Sequence, residues 1–192
     1  MRIPALMLMA LIVQACALVD SNLSVTLPED SALTGTLSGV GKQEFSLISI
    51  DDAREDKERI GYVRNSFGMI TADMRADEPV EAIVRRAIET MLVENGHELT
   101  ESGIRVTGRI KVFWIESDQN FTDVELIGQI ECELAFSAGE QEIYRKDFVG
   151  SHSVRVGIVT SGAQRQAISG ALASLAEAVA YDDALAEALR IL

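Results

Sequence analysis

Two successive stretches of this chain alternate apolar and polar residues over a length that only strands can use, and they decide what core it can build. In the first, Ile104, Val106, Ile110, Val112 and Trp114 share a face with Gly108 among them, while Arg105, Thr107, Arg109 and Lys111 share the other. In the second, Val124, Leu126, Ile130, Cys132, Leu134 and Phe136 face one way and Asp123, Glu125, Gln129, Glu131 and Glu133 the other. A period of two is that of a strand with one dry face and one wet face. Turn chemistry at 117–120 predicts an antiparallel hairpin. That pairing sets a basic outer row against an acidic one, which fixes register. A charged row also suits a docking surface, but the register reading explains both rows at once.

The remaining elements fit around this hairpin. A strand over 45–50 ends at Asp51-Asp52-Ala53-Arg54, and 60–64 and 67–71 form a small hairpin through Asn65-Ser66. A helix follows, capped by Asp77 with Pro79 in its first turn. Its stripe is Val80, Ile83, Val84, Ala87, Ile88, Met91 and Leu92, and Gly96 supplies a left-handed stop. Ala138-Gly139-Glu140 turns the chain into a third strand over 142–149, with 154–159 extending the edge. A second helix opens at Ser161 or Gly162 and carries Ile168, Ala171, Leu172, Leu175 and Val179. Asp182 or Asp183 caps a last helix bearing Leu185, Leu189 and Leu192. The expectation is an α+β domain: a two-layer sandwich, mainly antiparallel sheet with helices packed on one face.

The first sixteen residues have another character. Arg2 is their only charge, 5–13 is an unbroken apolar run, and Gln14-Ala15-Cys16 closes it. This is the form of a secretory signal, and it falls short of the roughly 20 apolar residues that span a bilayer. Val13-Gln14-Ala15-Cys16 resembles the lipobox of bacterial lipoproteins, although Gln14 stands where Ala or Ser is commoner. That resemblance implies removal of residues 1–15, a diacyl group on the Cys16 sulfur and a third acyl chain on its new amine. At about 0.8 kcal/mol per buried methylene, three chains make a lasting anchor. In enterobacterial-type sorting an Asp after the lipidated Cys retains a protein in the inner membrane. Ala17 therefore implies the outer membrane, on its periplasmic side. The alternative is an ordinary cleaved signal with an incidental Cys.

Residues 16–41 are rich in Ser, Thr, Gly and Leu and read as the lipidated Cys plus a flexible tether, which leaves 42–192 as a single periplasmic α+β domain. Within the tether, Leu23, Val25 and Leu27 alternate as a short edge strand would, with Pro28 ending it. Gly35, Gly39, Gly41 and Lys42 hint at a phosphate loop, but Thr36 and Gln43 break the required pattern.

The formal charge of −13 repels nucleic acid and anionic headgroups, so membrane attachment has to come from lipid on Cys16. With Cys16 acylated, Cys132 has no internal disulfide partner, and its apolar face marks it as a core residue.

In order and spacing these features resemble the YajG-like family of bacterial outer-membrane lipoproteins. The shared marks are the lipobox, Val25-Thr26-Leu27-Pro28, the strand into Asp52-Ala53-Arg54, the helix ending near Asn95-Gly96, the alternating strands and the helical tail. The family implies an address and a fold more than an activity. The order also looks, by analogy, like the amino-terminal domain of TolB.

Chemistry has few candidates. His97 lies just past a helix end, His152 lies between two serines, and neither belongs to a Gly-x-Ser-x-Gly or His-Glu-x-x-His pattern. No metal or cofactor site is expected. Asp51, Asp52, Glu55 and Asp56 form an acid cluster with Arg54, Lys57 and Arg59 interleaved. The family's acid–x–Arg step, here Asp52 and Arg54, reads as a clamp tying a loop to the sheet. The function expected is noncatalytic: a tethered interaction or assembly module with an unidentified envelope protein as partner. One alternative is a binding lipoprotein for a small envelope ligand such as a cell-wall fragment, which needs an apolar cleft with a few converging polar groups. The other is a hydrolase.

Overall fold

The hairpin expected from the alternating stretches is the spine of the fold. In the computed structural model, which describes residues 20–64, 68–119 and 122–192, β6 (Ile104–Gln119) pairs antiparallel with β7 (Val124–Ala138). Gly139, at φ +61°, turns the chain into β8 (Gln141–Val156), which follows β7 from end to end. The expected third strand and its edge extension are thus one element. The hairpin also outruns its expected turn, since Ser117, Asp118 and Gln119 still pair with Leu126, Glu125 and Val124.

The other edge of β6 is shared. Its first half takes β2 (Glu44–Asp52) in parallel, and Ile115 further along meets Gly61 of β3 (Gly61–Arg64). From β3 the sheet continues antiparallel to β4 (Ile70–Ala76) and then parallel to β1 (Ser21–Leu23), while β5 (Glu98–Leu99) flanks β2. The result is an eight-stranded mixed sheet, antiparallel in its long meander and parallel where a crossover intervenes. Between β2 and β6 that crossover is α1 (Val80–Glu94), and a helical connection returns a strand in the same direction.

Helices α1, α2 (Ser161–Ala180) and α3 (Asp183–Arg190) pack against the sheet and give an α+β fold. All seven residues of the expected α1 stripe are buried. Gly96, at φ +88°, ends the helix, its N–H donating to Val93 O while His97 N–H donates to Leu92 O. Asp77 is not the cap: Pro79 holds that position, and the Asp77 N–H donates to Leu23 O instead. Thr160 caps α2 through the Ala163 N–H, and Asp182 caps α3 through the Leu185 N–H at 2.7 Å. Leu192, expected on the α3 stripe, is exposed. Small residues let α2 lie on the sheet, because a Cβ at Gly150 would stand 2.1 Å from Ala171 O.

Two expectations need correction. A bulge between Ile110 and Val112 adds a residue to β6, and the inward set changes from Ile104, Val106 and Ile110 to Phe113 and Ile115. Val112 and Trp114 therefore lie on the outer side. The second concerns the tether. Leu23, Val25, Leu33, Leu37 and Val40 are buried in the core, so 20–41 is part of the folded body. Polar contacts fix this segment as well. Asn95 Oδ1 accepts from Gly35 N–H at 2.9 Å, and its Nδ2 donates to Leu33 O at 2.7 Å and Met91 O at 2.8 Å. Residues 1–19, which hold the expected signal and the first four residues after it, lie outside the described residues.

Candidate functional site

At the end of β2 the sequence Asp51-Asp52-Ala53-Arg54 leaves the sheet. Ala53 N–H donates to Ile110 O, and the next residue turns its side chain inward. Arg54 is only 7% exposed. Its Nε and Nη2 donate to the two oxygens of Asp52, each at 2.9 Å. Nη1 donates to Arg59 O at 2.8 Å and Phe113 O at 3.3 Å, and Nη2 also donates to Lys57 O at 3.3 Å. A guanidinium has five N–H donors in a fixed fork, and all five are engaged. The ion pair is thus a knot joining the loop at 55–59 to β6, with no donor left for a ligand. Asp56 orders the same loop by accepting from the Glu58 and Arg59 N–H groups and from Arg59 Nε.

Beside this knot lies an open cleft of about 550 Å³, lined by Asp51, Asp52, Lys57, Glu58, Glu78 and Glu81 together with Ile60, Ala76, Pro79 and Val80. Five carboxylates face one ammonium. Glu78 is tied to Arg86 at 2.7 Å and Asp52 to Arg54. Among the described residues, no three acidic, His or Cys side chains gather as metal ligands would. The cleft has the size of a small-ligand site but a charged lining, not the apolar one expected for such a protein.

The other candidates are dispersed. Cys16 and Ala17 lie outside the described residues. Cys132 is buried, and burial pushes its thiol up to about 12, so it is a core residue rather than a nucleophile. His97 is buried beside Phe45 with ring centroids 5.2 Å apart. Its Nδ1 accepts from Gln43 N–H at 3.3 Å, while Nε2 has no partner within hydrogen-bonding distance. Burial lowers its basicity, partly offset by the Leu37 carbonyl. His152 packs against Gly170 of α2, far from His97 in the fold.

Sequence reasoning missed one polar cluster, built on the buried Asp182. Asp182 accepts from Tyr144 OH at 2.8 Å and Lys146 Nζ at 2.5 Å besides capping α3. Burial opposes its ionisation, but Lys146, the Leu185 N–H and Tyr144 outweigh that and hold it below the usual carboxylate range. The available signal was Lys146, a cation that shares its face of β8 with Tyr144 and Phe148.

The outer face of the long strands carries the two charged rows. Arg109 pairs with Glu133 in register, Lys111 reaches Glu133 and Asp147, and Arg145 reaches Glu133. Lys111, Arg145, Glu133 and Asp147 thus satisfy one another across three strands.

No protein-family model matches the sequence, and no curated protein is similar to it at the sequence level. Solved structures are similar in fold. A Xanthomonas campestris protein of the DUF330 family aligns with a TM-score of 0.53 at 12% identity, covering 88% of this chain and 95% of its own. An Acinetobacter baumannii minor lipoprotein aligns at 0.37 and 14% identity over 70% and 87% of the two chains. The first likeness shows a shared fold and nothing finer. No helix among the described residues is long and apolar enough to cross a membrane.

Proposed function

We propose that this chain is a lipid-anchored outer-membrane lipoprotein of YajG-like type, facing the periplasm and serving as a noncatalytic interaction or assembly module of the cell envelope. The observation that carries this reading is Val13-Gln14-Ala15-Cys16, followed within a few residues by a strand already locked into the sheet. A secreted, acidic body with so short a lead has one covalent route to the bilayer, through Cys16. Its ionisable groups also favour a structural role: Arg54 is saturated by the fold, Cys132 is buried as a thiol, and Asp182 caps a helix.

The test is fractionation of cells with mass spectrometry of the mature amino terminus. Cys16→Ser is expected to leave an unacylated, unanchored protein, and Ala17→Asp to move the anchored form to the inner membrane. A Cys16→Ser protein that stays in the membrane fraction overturns the anchor. Crosslinking in intact cells then identifies the partner.

A further inference from the structure

Strand directions determine which end of the body lies nearest Cys16. Asp20 sits beside Asp73, whose N–H donates to Asp20 Oδ1 at 3.0 Å. From there β1 runs parallel to 74–76 of β4, away from Ile70. The chain therefore joins the body at the end where β4 begins. Register traces that end across the sheet: Ile70 pairs with Arg64, Gln119 Nε2 donates to Arg64 O, Gln119 pairs with Val124, and Val124 with Val156. The helical layer closes the circuit, because Ser21 Oγ donates to Gln164 Oε1 at 2.9 Å in the first turn of α2. Ile158 lies in the short connection between Val156 and that turn.

This rim carries large apolar side chains in water. Met69 is 59% exposed, Ile70 50% and Ile158 79%. Exposure alone does not single it out, since Leu99 and Leu192 are exposed at the other end. Reach does. Asp20 lies four positions after Cys16, a span of at most ~14 Å. At about 3.3 Å per residue, the start of β6 at Ile104 lies roughly 50 Å along the strand from the rim at Gln119. Acyl chains on Cys16 would hold the first end at the headgroups and leave the second out of reach.

We infer that the rim formed by Met69, Ile70 and Ile158 docks on the bilayer itself, its apolar side chains entering the headgroup–acyl boundary beside the lipid anchor. The occupant is a lipid surface, bound through apolar contact and not charge, since the chain is strongly acidic. This orientation stands the long strands away from the membrane and presents the opposite end, with Gly139 at the β7–β8 turn, to the periplasm. The inference rests on acylation of Cys16.

The test uses the full-length protein, processed in cells and reconstituted into phosphatidylethanolamine–phosphatidylglycerol vesicles. Ile158→Cys, Ile70→Cys and, as the far-end control, Glu140→Cys each carry a polarity-sensitive fluorophore, with the unsubstituted chain as background for buried Cys132. Flotation reports the anchor and the fluorophores report the rim. The expected result is a protein that floats, with emission at 158 and 70 shifted to the blue and quenched by brominated acyl chains while 140 is unchanged. Flotation with no quenching at 158 and 70, or with equal quenching at 140, overturns the docking while leaving the anchor intact. A blue shift that grows with protein concentration and resists brominated lipid assigns the rim to a second copy and overturns it too. A protein that fails to float removes the anchor and this inference together.

Discussion

Arg54 grips Asp52 through two parallel hydrogen bonds of 2.9 Å, although only Ala53 separates them in the chain. The pair is buried, and its remaining guanidinium donors hold carbonyls of the loop and of β6. Removing one member of a buried pair strands the other charge, which costs about 3–5 kcal/mol. Arg54→Ala is therefore expected to lower the unfolding free energy, measured by urea denaturation, by that amount. Arg54→Lys keeps the charge but not the fork, and should recover only part of the loss. An unchanged midpoint with a lost partner would mark the pair as a docking site instead.

Asn95 at the end of α1 holds the segment at 33–40 with two hydrogen bonds and is itself tied to Met91 O by a third. Asn95→Ala leaves the Gly35 N–H and the Leu33 carbonyl without this partner. A buried group left unsatisfied costs about 1–3 kcal/mol. The expected result is a loss of that order with faster amide exchange concentrated in 33–40. Uniform acceleration across the sheet would show that the segment does not open on its own.

These two sites show how far the sequence could be read. The α1 stripe was legible because seven apolar residues at helical spacing admit one face. Asp52 and Arg54 were legible as neighbours through an acid–x–Arg step, but not the carbonyls from Phe113 and Arg59 that saturate the arginine. The bulge after Ile110 was hidden because Val112, Phe113, Trp114 and Ile115 are all apolar, and four such residues in a row do not declare which two point inward. Residues 20–41 look like a linker for a related reason. Their Ser, Thr and Gly content resembles a linker, and the groups that fix them belong to Asn95 and Ser169, far along the chain.

Two glycines of the helix–sheet seam should respond differently to the same change. A Cβ at Gly150 meets backbone of α2, with Ala171 O at 2.1 Å and Leu175 N at 2.4 Å. At Gly170 it meets the side chain of His152. Backbone cannot step aside, whereas a histidine can rotate toward solvent. Gly150→Ala should cost at least the ~1–3 kcal/mol typical of overpacking, and Gly170→Ala clearly less. Equal losses would mean that His152 is held as firmly as the helix backbone.

Cys132 lies under the sheet with its thiol pushed up to about 12 by burial. With Cys16 acylated or replaced by Ser, an aromatic disulfide reagent should release no colour from the native protein over hours at pH 8. In denaturing urea Cys132 should react at the rate of a free cysteine. Rapid native reaction would place it at a surface.

His97 is the one buried imidazole, and its basicity is lowered by burial. Unfolded, it titrates near 6.5; folded, it stays neutral to a lower pH. Below about 6.5 the unfolded chain therefore binds a proton that the folded chain refuses, so stability falls as pH falls through this window and levels off below the folded value. The slope from one such group is at most about 1.4 kcal/mol per pH unit. Asp182, held below the usual carboxylate range, loses its contribution only at more acid pH, so the windows separate. His97→Gln should flatten the stability profile between pH 7.5 and 5.5 relative to the parent, measured by urea unfolding. If parent and variant keep parallel profiles across that interval, the folded imidazole takes up its proton just as the unfolded one does, and burial does not hold it neutral.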